Sequence, residues 1–518
     1  MSEAGAETPT GGRTRSRSHR DLVLIVVATV AFGVAAASRP GIVGLRREIA
    51  PPAGRVPGAE LAGSGSAVAA VLAPASGFFR PIALNVLWLR LGALQEDGRY
   101  FEAASLAAAI AELQPKIPEV WAYQAWNMAF NISRGSPPRE RFQWVLEGAR
   151  LLRERGLDHN PGSATIYRHL SWFFFFKVDG VSDPTSLVYQ EELARRFDGA
   201  ERARRSDLLD AWRLDARFLD GLARDHLAEL AEPARVLDLR VGSTHGLYWA
   251  AAGLAQPERE SERWERFLLR RFEVASLHGL LDHGHVVRSP LRATFAFAPD
   301  LRFVSAVARA LDDDAREFEG DEYIAGEVSE ARARFRQSLV LYSTLWNRSE
   351  DALRWWGDSA LAGGELTLDR FLSLQVIRSE DRVAAGRDDA LLRFSQLVRG
   401  ALGLALSSEP DLAAGVLAVA TAFRDDWNRE RPDALLPDRE EILVAVLRDW
   451  RRLLEPRGDG LVDRLRRFVP GAFARAGVAG DGASDLPRPR GDHEDGARTL
   501  LPGVDTLGPR ATATEDGG

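Results

Sequence analysis

Apolar side chains recur every three or four positions along most of this chain, which is the spacing of one face of an α-helix. The pattern is clearest between residues 85 and 131. A first helix ends at Gly98, a second covers Glu102 to Gln114 and stops at Pro115, and a third begins at Pro118. Gly accepts the backbone angles that end a helix, and Pro is tolerated only in its first turn. This stretch therefore predicts a series of helices joined by tight turns.

The same helical spacing continues to about residue 469, interrupted by Gly, Pro and polar clusters. No segment of any length alternates apolar and polar residues with the period of a strand. The predicted fold class is all-α, with the helices stacked in pairs that bury their apolar faces on their neighbours. The predicted segments are 1–20 (disordered and basic), 21–38 (apolar), 39–66 (a Pro- and Gly-rich linker), 67–180, 181–300 and 301–469 (helical), and 470–518 (a disordered tail).

A short motif begins at Trp88 and is repeated from Trp121, 33 residues later, and again from Tyr167, after a longer spacing of 46. Together with the intervening turn, it has the features of a known repeat. The matching positions are Trp88, Leu91, Gly92, Gly98, Tyr100, Ala103 and Pro115. This set resembles the tetratricopeptide (TPR) repeat, whose period is about 34 residues. The wider run is similar to a poorly characterised group of bacterial membrane-anchored TPR-like proteins. A general α-helical bundle is the alternative.

The resemblance implies a TPR-like α-solenoid whose first helices line a groove that binds a protein or peptide partner. Carried onto this sequence, the groove holds Arg90, Tyr123, Trp126, Arg168, His169 and Trp172. Aromatic and Arg side chains tend to dominate the binding energy of protein interfaces. Each position is also compatible with an ordinary solvated helix surface. Trp88 and Trp121 are expected in the core between the helices.

The stretch Leu22 to Ser38 is apolar and uncharged, and it follows a basic segment. As a helix it is about 25 Å long, which is close to the shortest length that spans a bilayer. It predicts either an uncleaved transmembrane anchor or a secretory signal peptide with a cleavage site after Ala35-x-Ala37. Four Arg precede it and three follow it closely, which favours a main domain outside the cytoplasmic membrane. The inverted topology is the alternative.

The net charge and the amino-acid composition argue against several kinds of partner, cofactor and catalytic site. The net charge is −7, whereas a domain that binds nucleic-acid phosphates is usually basic, so we expect no nucleic-acid partner. The chain has no Cys, which excludes disulfides, thiolate catalysis and Cys-ligated zinc. No Gly-rich phosphate loop precedes a helix, and we predict no cofactor.

Three segments carry side chains that are candidates for a metal site or for a surface that binds a partner. His283 and His285 follow Asp282 and form the best metal-like cluster, although two His and one Asp often occur together by chance, which favours a surface loop. Asp312 to Asp314 lacks the Gly and distal Glu of a calcium loop, which favours a solvated helix face. Trp172 to Phe176 contains five consecutive aromatic residues, which predicts a buried helix or, alternatively, a surface that faces a partner or membrane. None of these is assigned as a metal or catalytic site.

The sequence thus predicts a membrane-anchored TPR-like scaffold that mediates protein–protein interactions at the cell envelope, and not an enzyme. The alternative is an envelope glycan-acting enzyme on an all-helical scaffold, which would need paired carboxylates on a concave face.

Overall fold

The computed structural model describes residues 79–478, with gaps at 181–184, 199–201, 231–236, 292–293, 318–321, 360, 362–363, 365 and 455–458. Of these residues 79% are helical and 2% lie in strands, which confirms the all-α fold class. The chain divides into two compact units, Met1–Ile132 and Ser133–Gly518.

The described part of the first unit begins with a helical hairpin. Helix α1 (Phe79–Glu96) and helix α2 (Tyr100–Leu113) are joined at Gly98, whose φ of +69° is the left-handed value expected at this helix end. Helix α3 (Pro118–Trp126) starts with Pro118 in its first turn and continues into a π-helical turn, Asn127–Asn131. The three predicted helices and both turn signals are therefore confirmed.

Trp121 anchors the core of this unit. Its side chain is buried with Leu91 and Ile110, and its indole Nε1 donates to the carbonyl oxygen of Pro115 at 2.8 Å. The predicted core position of Trp121 is confirmed. Trp88, in contrast, is only half-buried and contacts Tyr123 edge-to-face with ring centroids 5.6 Å apart, so its predicted core position is not confirmed.

The second unit starts with helices that are long and closely packed. They are α4 (Pro138–Leu151, continued by a π turn Leu152–Gly156 and a last α turn Leu157–His159), α5 (Ala164–Trp172, continued by a π turn Phe173–Val178), α6 (Ser186–Phe197), α7 (Arg202–Ala211), α8 (Ala216–His226), α9 (Gly242–Leu254) and α10 (Arg263–His283). A methyl group on Gly246 of α9 would lie 2.7 Å from Oγ of Ser276 in α10 and 3.0 Å from Cβ of Phe175. Small residues thus let α9 pass close to both neighbours.

A β-hairpin follows α10, in a region for which the sequence predicted a loop. Strand β1 (His285–Arg288) pairs antiparallel with β2 (Phe295–Ala298), with His285 opposite Ala298 and Arg288 opposite Phe295. Phe295 and Phe297 are both buried. The expectation of no strand is therefore wrong at this place, because four-residue strands are too short to show a clear alternation.

The remaining helices complete the second unit. They are α11 (Val304–Glu317), α12 (Glu322–Leu345), α13 (Ser349–Gly357), α14 (Leu368–Val376), α15 (Ser379–Ala384), α16 (Arg387–Leu406), α17 (Pro410–Glu430), α18 (Arg439–Leu454), α19 (Asp459–Phe468) and α20 (Pro470–Val478). Helix α20 buries Ala472 and Ala476, so the folded part continues beyond the predicted start of the disordered tail at residue 470.

Within the described residues, no helix is both long enough and apolar enough to cross a bilayer. The predicted anchor or signal peptide at Leu22 to Ser38, the basic segment before it and the linker after it lie outside the described residues.

Candidate functional site

A row of half-buried aromatic rings lies on one side of the first unit. Tyr123 and Trp126 of α3 are in contact, with ring centroids 6.4 Å apart, and Trp88 of α1 packs on the other side of Tyr123. Trp126 stacks on Phe130 at 5.9 Å with an angle of 18° between the rings. Two predicted groove residues are thus brought together, and two further aromatic side chains extend the row.

The third predicted groove residue of this unit, Arg90, is exposed on α1. Val86 and Leu89 are exposed on the same helix. Single exposed apolar side chains are normal on protein surfaces, so these two do not by themselves mark an interface.

In the second unit, α5 carries the other three predicted residues, Arg168, His169 and Trp172, all half-buried. His169 contacts Trp172 edge-to-face at 6.5 Å, and its Nδ1 lies 2.8 Å from the carbonyl oxygen of Thr165. Burial, followed by the charge of Arg168, lowers the pKa of His169 to about 3, so the imidazole is neutral at pH 7.

The aromatic run after α5 is divided between core and surface. Phe173 and Phe174 are fully buried, whereas Phe175 and Phe176 are half-buried. Trp172 stacks on Phe176 at 5.2 Å with an angle of 16°. The interpretation as core is therefore confirmed for Phe173 and Phe174, and Phe175 also packs against the core around Leu269 and Phe272.

The same arrangement occurs in both units. In each, a Trp is the last residue of an α-helix and stacks on a Phe four positions later, within a π turn: Trp126 on Phe130 and Trp172 on Phe176. The two tryptophans are 46 residues apart, which is also the spacing between the motif copies that begin at Trp121 and Tyr167. Sequence reasoning missed Phe130 and considered Phe176 only as part of the aromatic run, although the Trp-x-x-x-Phe spacing was visible at both places.

The Asp282–His285 cluster has a different role from the one its sequence suggests. Asp282 is buried and accepts a 2.7 Å hydrogen bond from Tyr342, while Nε2 of His285 lies 3.1 Å from Oε1 of Glu409 and its ring meets the edge of Trp346. The interpretation as a surface loop is wrong for Asp282, because α10 and α12 enclose it. Across the described parts of the chain, no three His, Asp or Glu side chains are arranged to hold a metal ion.

Burial changes the acidity of two carboxyl groups. It raises the pKa of Asp282 to about 7, although the hydrogen bond from Tyr342 opposes the effect. It also raises the pKa of Asp179 to about 6. Asp179 accepts from the backbone N–H groups of Gly242 and Ser243 and so caps the N-terminus of α9, 63 positions along the chain.

The acidic run Asp312 to Asp314 is fully engaged in ion pairs. Asp312 binds Arg332, Asp313 binds Arg316, and the buried Asp314 accepts from Arg271 at 3.1 Å. The run therefore lies partly in the interior and not only on a solvated face.

No protein-family model, no curated protein and no solved structure matches this chain.

Proposed function

We propose that this chain is a helical-repeat protein of the TPR-like solenoid class, and that it binds protein or peptide partners through an aromatic row in each of its two units. The rows are Trp88, Tyr123, Trp126 and Phe130 in the first unit and His169, Trp172 and Phe176 in the second. The repeated Trp–Phe stack at the end of α3 and of α5 carries the proposal. Stacked, half-buried rings present a rigid apolar surface at low entropic cost, and such side chains often provide most of an interface's binding energy. Arg168 brings a positive charge that acts on the neighbouring His169 in the second unit, and Arg90 is exposed on α1 of the first.

The test is partner capture by the full-length protein from cross-linked cells. Trp126→Ala removes one stack and Trp172→Ala removes the other. We expect each variant to lose a partner that the wild-type protein retains, because aromatic anchors of this kind typically contribute about 2 kcal/mol or more to binding.

Two controls separate binding from folding. Trp264 is 65% exposed and stacks on Phe267 at 5.2 Å on α10, so Trp264→Ala removes a similar stack outside both rows. Trp121→Ala empties a core site and should destabilise the first unit by about 3–5 kcal/mol. The proposal is wrong if Trp126→Ala and Trp172→Ala keep every partner that Trp264→Ala keeps, or melt as early as Trp121→Ala.

We also propose that Leu22 to Ser38 anchors the protein in the cytoplasmic membrane, with the two units on the extracytoplasmic side. The apolar length of this stretch and the Arg residues before it support the proposal. A reporter enzyme that is active only outside the cytoplasm, fused after Gly480, should be active, and deletion of residues 22–38 should release the protein from membranes. A mature protein that begins at Ser38 would show that the stretch is a cleaved signal peptide instead.

A further inference from the structure

Arg153 is a buried arginine in the π turn Leu152–Gly156 that follows α4. Its side chain is only 5% exposed, and its guanidinium carbon lies 4.8 Å from the ring centroid of Trp212. Nε of this guanidinium has no hydrogen-bond partner among the described residues. An arginine in such a position is unusual, because burying a cation is costly unless acceptors surround it.

The acidic groups that act on Arg153 are already paired with another residue. Glu147 and Glu154 accept from Arg150 at 2.6 Å and 2.9 Å. Burial lowers the pKa of Arg153 to about 10, so the guanidinium still carries its charge at pH 7. No carboxylate in the described part of the chain forms an ion pair with it.

Another buried arginine of the same chain, Arg382, has a hydrogen-bond acceptor for each of its guanidinium nitrogens. Arg382 is 2% exposed, and its three nitrogens donate at 2.7 Å each to Glu430, Ser373 and Asp426. It also lies over an aromatic ring, at 5.6 Å from the centroid of Trp427. Arg153 thus shares the burial and the aromatic neighbour of Arg382, but among the described residues its Nε has no acceptor and no carboxylate forms an ion pair with it.

A second buried polar group next to Arg153 is also incompletely bonded. His245 is fully buried, and its ring lies 5.3 Å from Trp212 and 4.8 Å from Phe174. Its Nε2 lies 2.9 Å from the carbonyl oxygen of Leu239, to which a neutral imidazole donates its N–H. Nδ1 is then an acceptor, and within the described residues it has no partner. Burial lowers the pKa of His245 to about 4, so the ring brings no second positive charge.

We propose that Arg153 binds the oxyanion of a small-molecule ligand, a carboxylate or a phosphate, in a site bounded by Trp212 and His245. A guanidinium recognises either group with two parallel N–H···O bonds, and the oxyanion neutralises the buried charge. The neutral Nδ1 of His245 suits a ligand that also offers a hydrogen-bond donor, such as hydrogen phosphate or a hydroxy acid. This site is separate from the aromatic rows and does not depend on the proposed partner binding.

The experiment uses the full-length protein in chloride buffer at constant ionic strength, titrated separately with inorganic phosphate, acetate and lactate. The readouts are the thermal unfolding midpoint and calorimetric binding. At least one of the three anions should raise the midpoint saturably. Arg153→Met should bind that anion at least about tenfold more weakly, since hydrogen bonds to charged groups contribute about 1.5–3 kcal/mol. The anion that acts identifies whether the group is a phosphate or a carboxylate.

The variants also distinguish an arginine that binds an anion from one that only stabilises the fold. Without any anion, Arg153→Met should raise the midpoint, because Met removes, at similar volume, a buried charge that has no ion-pair partner among the described residues. Arg155→Met changes an exposed arginine in the same π turn and should behave as the wild type does. If Arg153→Met does not fold, Arg153→Lys keeps the charge but loses the planar fork, and should weaken binding similarly. The proposal is overturned if none of the three anions acts beyond chloride, or if the folded Arg153 variant responds as the wild type does.

Discussion

The hydroxyl of Tyr342 on α12 donates a 2.7 Å hydrogen bond to Oδ1 of Asp282, the penultimate residue of α10. Both side chains are buried, so the bond joins two helices in the interior of the second unit. Burial disfavours the ionised carboxylate, and the hydrogen bond only partly compensates.

The first prediction is that Asp282 makes the protein less stable as the pH rises towards 7. Its pKa is about 7 in the folded protein, whereas an Asp in an unfolded chain titrates near about 4. Between these two pKa values the folded state therefore binds more protons than the unfolded state. The contribution of Asp282 to stability is complete below the pKa of the unfolded chain and is lost as the pH rises through the pKa of the folded protein. Asp179 acts with the same sign up to a pH of about 6.

Melting midpoints measured between these pH values test this. Above the pKa of Asp179, the melting midpoint of Asp282→Asn should fall less steeply with pH than that of the wild type, because an amide does not titrate. Tyr342→Phe should move the decline to higher pH, since the Tyr342 bond favours the ionised carboxylate. Asp207→Asn, at an exposed position, is the control. An unchanged profile for Asp282→Asn would contradict the assignment.

The second prediction concerns the buried ion-pair network around Arg382. Removing its guanidinium leaves Asp426, which is also buried, with a reduced set of donors, although Arg370 still reaches Asp426 at 2.8 Å. We expect Arg382→Ala to destabilise the second unit by about 3–5 kcal/mol, the usual cost of breaking a buried pair. Arg429→Ala removes a 62% exposed partner of the same Asp426 and should cost less than about 1 kcal/mol. Equal effects of the two substitutions in thermal or urea unfolding would refute this.

The third prediction compares two glycines in neighbouring helices. A methyl group at Gly415 of α17 would lie 2.0 Å from the carbonyl oxygen of Leu345, so α17 and α12 would have to move apart. Gly415→Ala should therefore destabilise the protein by about 1–3 kcal/mol or more. A methyl group at Gly403 of α16 meets nothing within 4 Å, and Gly403→Ala should stabilise by about 0.5–1 kcal/mol. The opposite signs make the comparison decisive, and unfolding midpoints measure it.

The fourth prediction compares two helix caps. Asp215 caps α8 at the surface by accepting from the N–H groups of Arg217 and Phe218, at 2.7 Å and 3.0 Å. Asp215→Ala should cost about 1 kcal/mol. Asp179 caps α9 in the interior, where water cannot replace it. Asp179→Ala should cost more, about 1–3 kcal/mol for each N–H left unsatisfied.

Asp179→Asn keeps one acceptor oxygen and should fall between the wild type and Asp179→Ala. Hydrogen exchange at Ser243 gives a local readout, because a lost cap opens the first turn of α9. If Asp179→Ala costs no more than Asp215→Ala, then α9 does not depend on this carboxylate.

Helix periods, stop signals and start signals are local properties, and the sequence alone was sufficient to predict them. The turn at Gly98 and the helix start at Pro118 both occur where the pattern placed them. The core position of Trp121 followed from the same periodicity. Of the six predicted groove residues, contacts join Tyr123 to Trp126 and His169 to Trp172, and Arg90 and Arg168 are accessible at least in part.

What only the tertiary structure decided is which polar groups are buried and which partner each one has. Asp179 meets Ser243, Asp282 meets Tyr342 and Arg382 meets Asp426 across 64, 60 and 44 positions of the chain. In the sequence, nothing relates Arg153 to Trp212, 59 positions later, although the guanidinium lies over that ring. Burial and pairing depend on segments that are distant in sequence and are brought together by apolar packing, so no local spacing encodes them.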